Sequence, residues 1–256
     1  MKVELTASVF ADAIEGLGIQ ATPQWVLSEG KLALGPYYSY VEWQSRRINS
    51  IGSVDLTELT QTDELLFEPS DRMLWGVYLN DSNHRIPSKM LPVAWDEERP
   101  TYGTLRLSSA TYFLLDHKSV YWIAPDGKMF VVLYDAALSV RSTQILRLRL
   151  SDDFDLLFAE GRLCGWMLSH PARYLSAPWH RPDMSASDAD GEIAALLYDC
   201  IEIVNDPYVR RMNERDPHVL QELRHLLTRL DPSGDAIGPR RIMGRYLDQI
   251  IDKYYF

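Results

Sequence analysis

Cysteine is scarce: the 256 residues hold two, Cys164 and Cys200. No secretory signal opens the chain, since Met1-Lys2-Val3-Glu4-Leu5 leads into a short stretch that contains acid. Together these imply a reducing, cytoplasmic setting with two buried thiols, although the spacing leaves a Cys164–Cys200 disulfide open. Apolar runs are short as well. None approaches the ~18–20 residues a membrane helix requires, so no membrane association is expected. Positive charge is in deficit, with 26 Lys and Arg against 36 Asp and Glu, a formal net charge of −10. Residues 206–256 contain nine basic and eight acidic residues, which leaves −11 for residues 1–205. That larger part repels a phosphate backbone and attracts a basic protein partner, besides keeping the chain in solution.

Familiar motifs are missing too. There is no GxGxxG, no GxxxxGK, no GxSxG, no HExxH and no CxxC. The commonest nucleotide-binding, serine-hydrolase and zinc classes lose their support, and no cofactor or metal is expected. An enzyme whose site is assembled from distant residues stays open. Internal repeats and low-complexity tracts are absent as well.

What is present is ample apolar material. The hydrophobic fraction is 46% and the charged fraction 24%, enough for one large domain, or one domain with a small appendage. Seven Trp and fourteen Tyr suit a β-rich core, with an aromatic-lined pocket or interface as the alternative. The chain is organised around residues 119–134. There, two apolar, β-branched and aromatic runs flank Pro125-Asp126-Gly127, a hairpin signal that predicts two strands in the middle of a sheet.

In chain order, Val9, Phe10, Ala13, Ile14 and Leu17 recur at helical spacing and predict a helix over 6–17. Trp25-Val26-Leu27 and Leu32-Ala33-Leu34 read as a small hairpin. Residues 37–46 alternate and read as a half-exposed strand, with Tyr38, Tyr40 and Glu42 on its outer face. Residues 48–70 read as loop or short helix, 73–79 as a strand, and 84–103, with Pro87, Pro92 and Pro100, as an extended loop. A meander follows from 105 to 168. In it Leu146, Leu148 and Leu150 point inward, and Arg147 and Arg149 outward. Residues 176–191 have the composition of a linker. The period then changes to 3.6, with helices over 193–204, from Asp216-Pro217 to Leu230, and from Pro239 onward. The expected fold class is therefore α+β: a mainly antiparallel β-sheet meander in residues 1–175, a linker at 176–191, and a three-helix segment at 192–256 that packs on the sheet or on itself.

Three constellations fall short of a site. His218, Glu222 and His225 share a helix face, but it lies opposite the leucines and points to solvent. Asp188, Asp190 and Glu192 around Gly191 would need Ala186 and Leu197 as calcium ligands, so they are read as helix-N-terminal acids. Arg210, Arg211, Arg215, Arg240, Arg241 and Arg245 are interleaved with acids and read as a docking surface. The leading reading is a cytoplasmic, non-catalytic protein-binding module of inhibitor, immunity or adaptor type. Its partner is a protein, a basic one by charge complementarity, and its contact residues are Tyr38, Tyr40, Glu42, Trp95, Asp96, Glu97 and Glu98. The alternative is a hydrolase-type enzyme using Asp116, His117, His180 and Asp183. Nucleic-acid binding through the Arg-bearing helices comes third and is not favoured. Self-association is left open.

Overall fold

Asp126 and Gly127 make the turn their chemistry permits. Asp126 Oδ1 accepts the Lys128 N–H at 3.0 Å, and Gly127 takes φ +69°. They join β10 (Val120–Ile123) to β11 (Met129–Leu133). A second tight turn, Glu160-Gly161 with φ of 50° and 72°, has the two positive φ values of a hairpin whose twist matches its strands. It joins β13 (Phe154–Ala159) to β14 (Arg162–Ser169). These local units belong to a computed structural model that describes residues 1–37, 39–54, 62–81, 85–86, 95, 98–115, 118–135, 142, 144–184, 191–230 and 238–256.

The remaining strands are β1 (Lys2–Thr6), β2 (Val9–Glu15), β3 (Gln24–Val26), β4 (Lys31–Leu34), β5 (Ile51–Ser53), β6 (Glu64–Phe67), β7 (Leu74–Asn80), β8 (Thr101–Leu107), β9 (Tyr112–Phe113) and β12 (Ile145–Ser151). They form two sheets, of order β1-β2-β8-β12-β13-β14-β11-β10 and β3-β4-β7-β6-β5-β9. Pairing is mostly antiparallel, as expected, with parallel contacts at β1–β14, β8–β12 and β5–β9. Glu4 pairs with Arg162 at one end of β14, which closes the first six strands of the larger sheet into a ring. The other end of β14, from Gly165 to Ser169, pairs with β11 instead. The 119–134 hairpin therefore ends the sheet rather than forming its middle. Its apolar strands are tolerated there because both faces are covered, and because Ile86 N–H bonds Tyr121 O at 2.8 Å along the free edge.

Three expected elements change type. Residues 48–70, expected as loop or short helix, carry the strands β5 and β6, which pair with each other and with β7 and β9. Residues 6–17 form no helix. Val9, Ala11 and Ala13 alternate onto the core as β2, so a period of two prevails over the helical spacing once β1 and β8 pair on either side. Residues 37–46 are not a strand: Tyr40–Ile48 is helix α1. Ser39 caps it, its Oγ accepting Glu42 N–H at 3.2 Å, and the Ser-x-x-Glu signature was there to be read. Trp43 and Arg47, one turn apart, are its buried face.

After β14 come a single 3₁₀ turn at Pro171–Tyr174 and the three expected helices, α2 (Gly191–Glu202), α4 (Pro217–Leu230) and α5 (Pro239–Tyr255). A short additional helix, α3 (Tyr208–Asn213), precedes α4. Helix α2 buries Leu196, Leu197, Cys200 and Ile201 along the expected stripe. Helix α4 turns slightly from its expected face and buries Val219, Leu223, Leu226 and Leu230. One apolar cluster joins both sheets with α2 to α5. Cys164 and Cys200 are both buried thiols with no disulfide between them. The first part of the expected linker is docked: Ser176 N–H bonds Trp25 O at 3.0 Å, and the Trp179 ring lies 5.2 Å from those of Tyr40 and Trp43. Among the described residues no helix is long and apolar enough to cross a membrane.

Candidate functional site

Arg147 was expected to face solvent and instead is 5% exposed. The outer face of the larger sheet carries its own apolar cluster, made of Trp95, Val131, Leu133, Leu157, Ala159, Cys164 and Met167. Arg147 lies beside it, donating to Asp155 Oδ2 at 2.7 Å and to the carbonyls of Trp95 and Glu98 at 2.7 and 2.9 Å. This corrects the placing of Trp95 among surface contacts as well: it is fully buried and roofs the sheet. Tyr40, Glu42 and Glu98 are exposed, as a partner-contacting residue requires. Tyr38, Asp96 and Glu97 lie outside the described residues, as do Asp116 and His117. His180 is exposed with Nδ1 2.7 Å from Pro178 O, and Asp183 is half-buried. His218, Glu222 and His225 all face solvent, as the helical period predicts.

A different set of residues converges. A cleft of about 500 Å³ opens between the smaller sheet's β3–β4 hairpin and the helices α2, α3 and α5. Its floor is aromatic: Trp25 from β3 lies 4.6 Å from Phe130 of β11, and Phe130 stacks at 5.3 Å on Tyr121 of β10. The organising hairpin of the sequence thus supplies the floor. Asn205, just beyond α2, donates to the Tyr121 hydroxyl, and Tyr246, Ile250 and Tyr254 of α5 form the far wall. Spacing along the chain could not have grouped residues 25, 81, 121, 205 and 246.

Asp81 is a carboxyl at the cleft's rim. It follows directly on β7, in the polar Asn80-Asp81 step that stops the strand. Trp25 Nε1–H donates to its Oδ2 at 3.2 Å, and its N–H donates to Gly30 O at 2.9 Å. Gly30, at φ +61°, makes room: a Cβ there would sit 2.4 Å from Asp81 Oδ1. Burial is the main cause that pushes the Asp81 carboxyl up to about 7, against the bonds and charges that would lower it. Behind Asp81 lies a second acid, Asp63, raised by burial although better held. Asn80 donates to it twice at 2.7 Å, and the Tyr134 hydroxyl donates to its other oxygen. Lys31 reaches Asn80 Oδ1 and lies 5.2 Å over the Tyr78 ring; burial lowers its pKa. The arrangement offers an aromatic floor, a carboxyl that exchanges its proton near neutrality, and amide groups beside it. Chemically, such a combination can accommodate an organic ligand and exchange a proton with it. No group of three or more His, Cys, Asp or Glu among the described residues could hold a metal ion. Comparison of the chain with protein-family models, with curated proteins and with solved structures finds no match.

Proposed function

We propose that this protein binds a small organic ligand in the cleft between the β3–β4 hairpin and helices α2, α3 and α5, with Asp81 exchanging a proton as the ligand enters. One observation carries the reading: a half-buried carboxyl, held by the Trp25 indole and pushed upward in pKa by its burial, stands at the rim of an aromatic-floored cleft. Structural carboxyls are normally compensated until they stay ionised, so a poised one in a cleft is a functional-site signature. The Trp25 indole N–H reports on it directly, through its bond to Asp81. A fragment screen followed by nitrogen–proton correlation spectra tests the reading. Bound fragments are expected to move the Trp25 indole and Asn205 side-chain signals together; binders that leave both unmoved would place the site elsewhere.

A second reading, the inhibitor, immunity or adaptor type of protein-binding module, is favoured by the surface of α1. Val41 and Ile48 are 75% and 64% exposed on the same nine-residue helix as Tyr40 and Glu42, in a chain of net charge −10. Apolar side chains beside acid suit a partner with basic and apolar contacts. Affinity capture with the wild-type chain and with a Val41→Asp, Ile48→Asp variant tests it: a genuine partner is retained by the first and lost by the second.

A further inference from the structure

Three carboxyls can be compared by what neutralises them. Asp155 is fully buried and takes two arginines, Arg147 at 2.7 Å and Arg149 at 2.7 Å. Asp63 is buried and takes three donor bonds, two from Asn80 and one from Tyr134. Among the described residues Asp81 has one, from the neutral indole of Trp25. No ion pair reaches Asp81 among the described residues. Lys31 acts on Asp81 only through its charge, its ammonium being bonded to Asn80 and lying over the Tyr78 ring, and Lys253 lies 5.0 Å over the Tyr254 ring. The fold thus compensates its other buried acids from within and leaves the acid at the cleft short of donors. A carboxylate in that position gains most from charged N–H groups brought by a ligand. The floor adds to this, since the faces of Trp25, Tyr121 and Phe130 carry the negative side of the aromatic quadrupole.

From this under-compensated acid over an aromatic floor we infer that the cleft selects organic cations, a protonated amine or guanidine attached to an apolar body, with the cationic end on Asp81. The inference rests on the cleft being a binding site and names the class of its ligand. Glu29 on the β3–β4 turn adds a second negative group to the rim. The other titratable groups facing Asp81 are Lys31 of β4, Asp63 ahead of β6, Tyr121 of β10, and Tyr246 of α5, with Lys253 at the cleft's outer end. Burial raises both tyrosines further from neutrality, and it raises Asp63. Of these groups Asp81 titrates near pH 7, so a bound cation displaces its proton.

The test uses the full chain and four probes with one phenyl body: phenethylamine, phenethylguanidine, phenethyl alcohol and hydrocinnamate. Calorimetry is run from about pH 6 to about pH 8, spanning the Asp81 transition near 7. The amine and guanidine are expected to bind, to gain up to about tenfold in affinity per pH unit as pH rises towards that transition, to level off above it, and to release a proton to buffer. The alcohol and the acid should bind at least about tenfold more weakly at the upper pH. Asp81→Asn should remove the preference and the proton release while leaving the fold intact by circular dichroism. Binding of the alcohol or the acid that strengthens as pH falls would overturn the cation inference and leave the cleft reading standing. Failure of all four probes to move the Trp25 indole signal would overturn both.

Discussion

Arg147 and Asp155 are bonded inside the protein, Nη2 to Oδ2 at 2.7 Å, with the arginine 5% exposed and the aspartate 0%. The same guanidinium holds the carbonyls of Trp95 and Glu98, so one side chain ties β12, β13 and the segment before β8 together. Removing one member of such a pair leaves an uncompensated buried charge. Asp155→Ala is expected to lower unfolding stability by about 3–5 kcal/mol in denaturant titration. Arg149→Met should cost clearly less, because that side chain is 15% exposed. Equal losses would show that burial of Arg147 has no special weight.

Asp81 makes stability depend on pH in a defined direction. Its carboxyl rises to about 7 in the fold, against about 4 in an unfolded chain. Between those values the folded state holds a proton that the unfolded state has released. The stabilisation from this group is complete below about pH 4, declines as pH rises, and is gone above about pH 7. Asp63, also raised by burial, works in the same sense. Asp81→Asn keeps the shape without the charge, so its melting temperature should exceed the wild type's at about pH 8 and match it at about pH 4. A variant that is less stable at the higher pH would refute the assignment.

Gly127 meets two demands at once. Its φ is +69°, and a Cβ would fall 2.0 Å from the carbonyl oxygen of Ala194 on α2. Gly127→Ala should therefore cost more than the roughly 1–2 kcal/mol of a left-handed residue alone, measured by chemical denaturation. Gly161 has a similar φ, +72°, but a Cβ there would meet nothing nearer than Lys2 O at 4.0 Å, an ordinary contact, so Gly161→Ala isolates the conformational part.

Ser39→Ala removes the side chain that accepts Glu42 N–H at the start of α1. A loss of about 1 kcal/mol is expected, and Ser39→Asp should restore most of it. Hydrogen exchange at the α1 amides would localise the change.

Both thiols should be silent in the folded protein. Cys164 and Cys200 are buried, and burial pushes the Cys200 thiol up to about 12, far from the thiolate form that reacts. Labelling with a thiol reagent near neutral pH should be slow until denaturant is added and then proceed at both positions. Fast labelling of Cys200 in the native state would contradict its place between α2 and the core.

Much of the fold was legible because local patterns and tertiary demands agreed. The Asp126-Gly127 turn, the β12 to β14 meander, the Cys200 stripe and the Asp216-Pro217 helix start all follow from residue chemistry over short spans. Legibility failed where a second surface entered. Arg147 alternates outward by the period of β12, yet Trp95, 52 residues away, covers that face and turns its outside into an inside. Residues 6–17 satisfy two periods, and the pairing of β2 between β1 and β8 chose between them. The candidate site was illegible for the same reason. Asp81 reads locally as a polar strand stop, and nothing near it in sequence announces Trp25, Tyr121 or Tyr246.

The sequence by itself determined the α+β class, the antiparallel meander, the helical C-terminal part and both buried thiols, because each depends on turn chemistry or on a period read within about fifteen residues. Tertiary structure alone decided that the 119–134 hairpin ends its sheet, that its Tyr121 and Phe130 floor a cleft, and that Asp81 stands there with the Trp25 indole as its side-chain donor. Those outcomes depend on which distant surfaces meet, and desolvation, the force that poises Asp81, exists only once they have met.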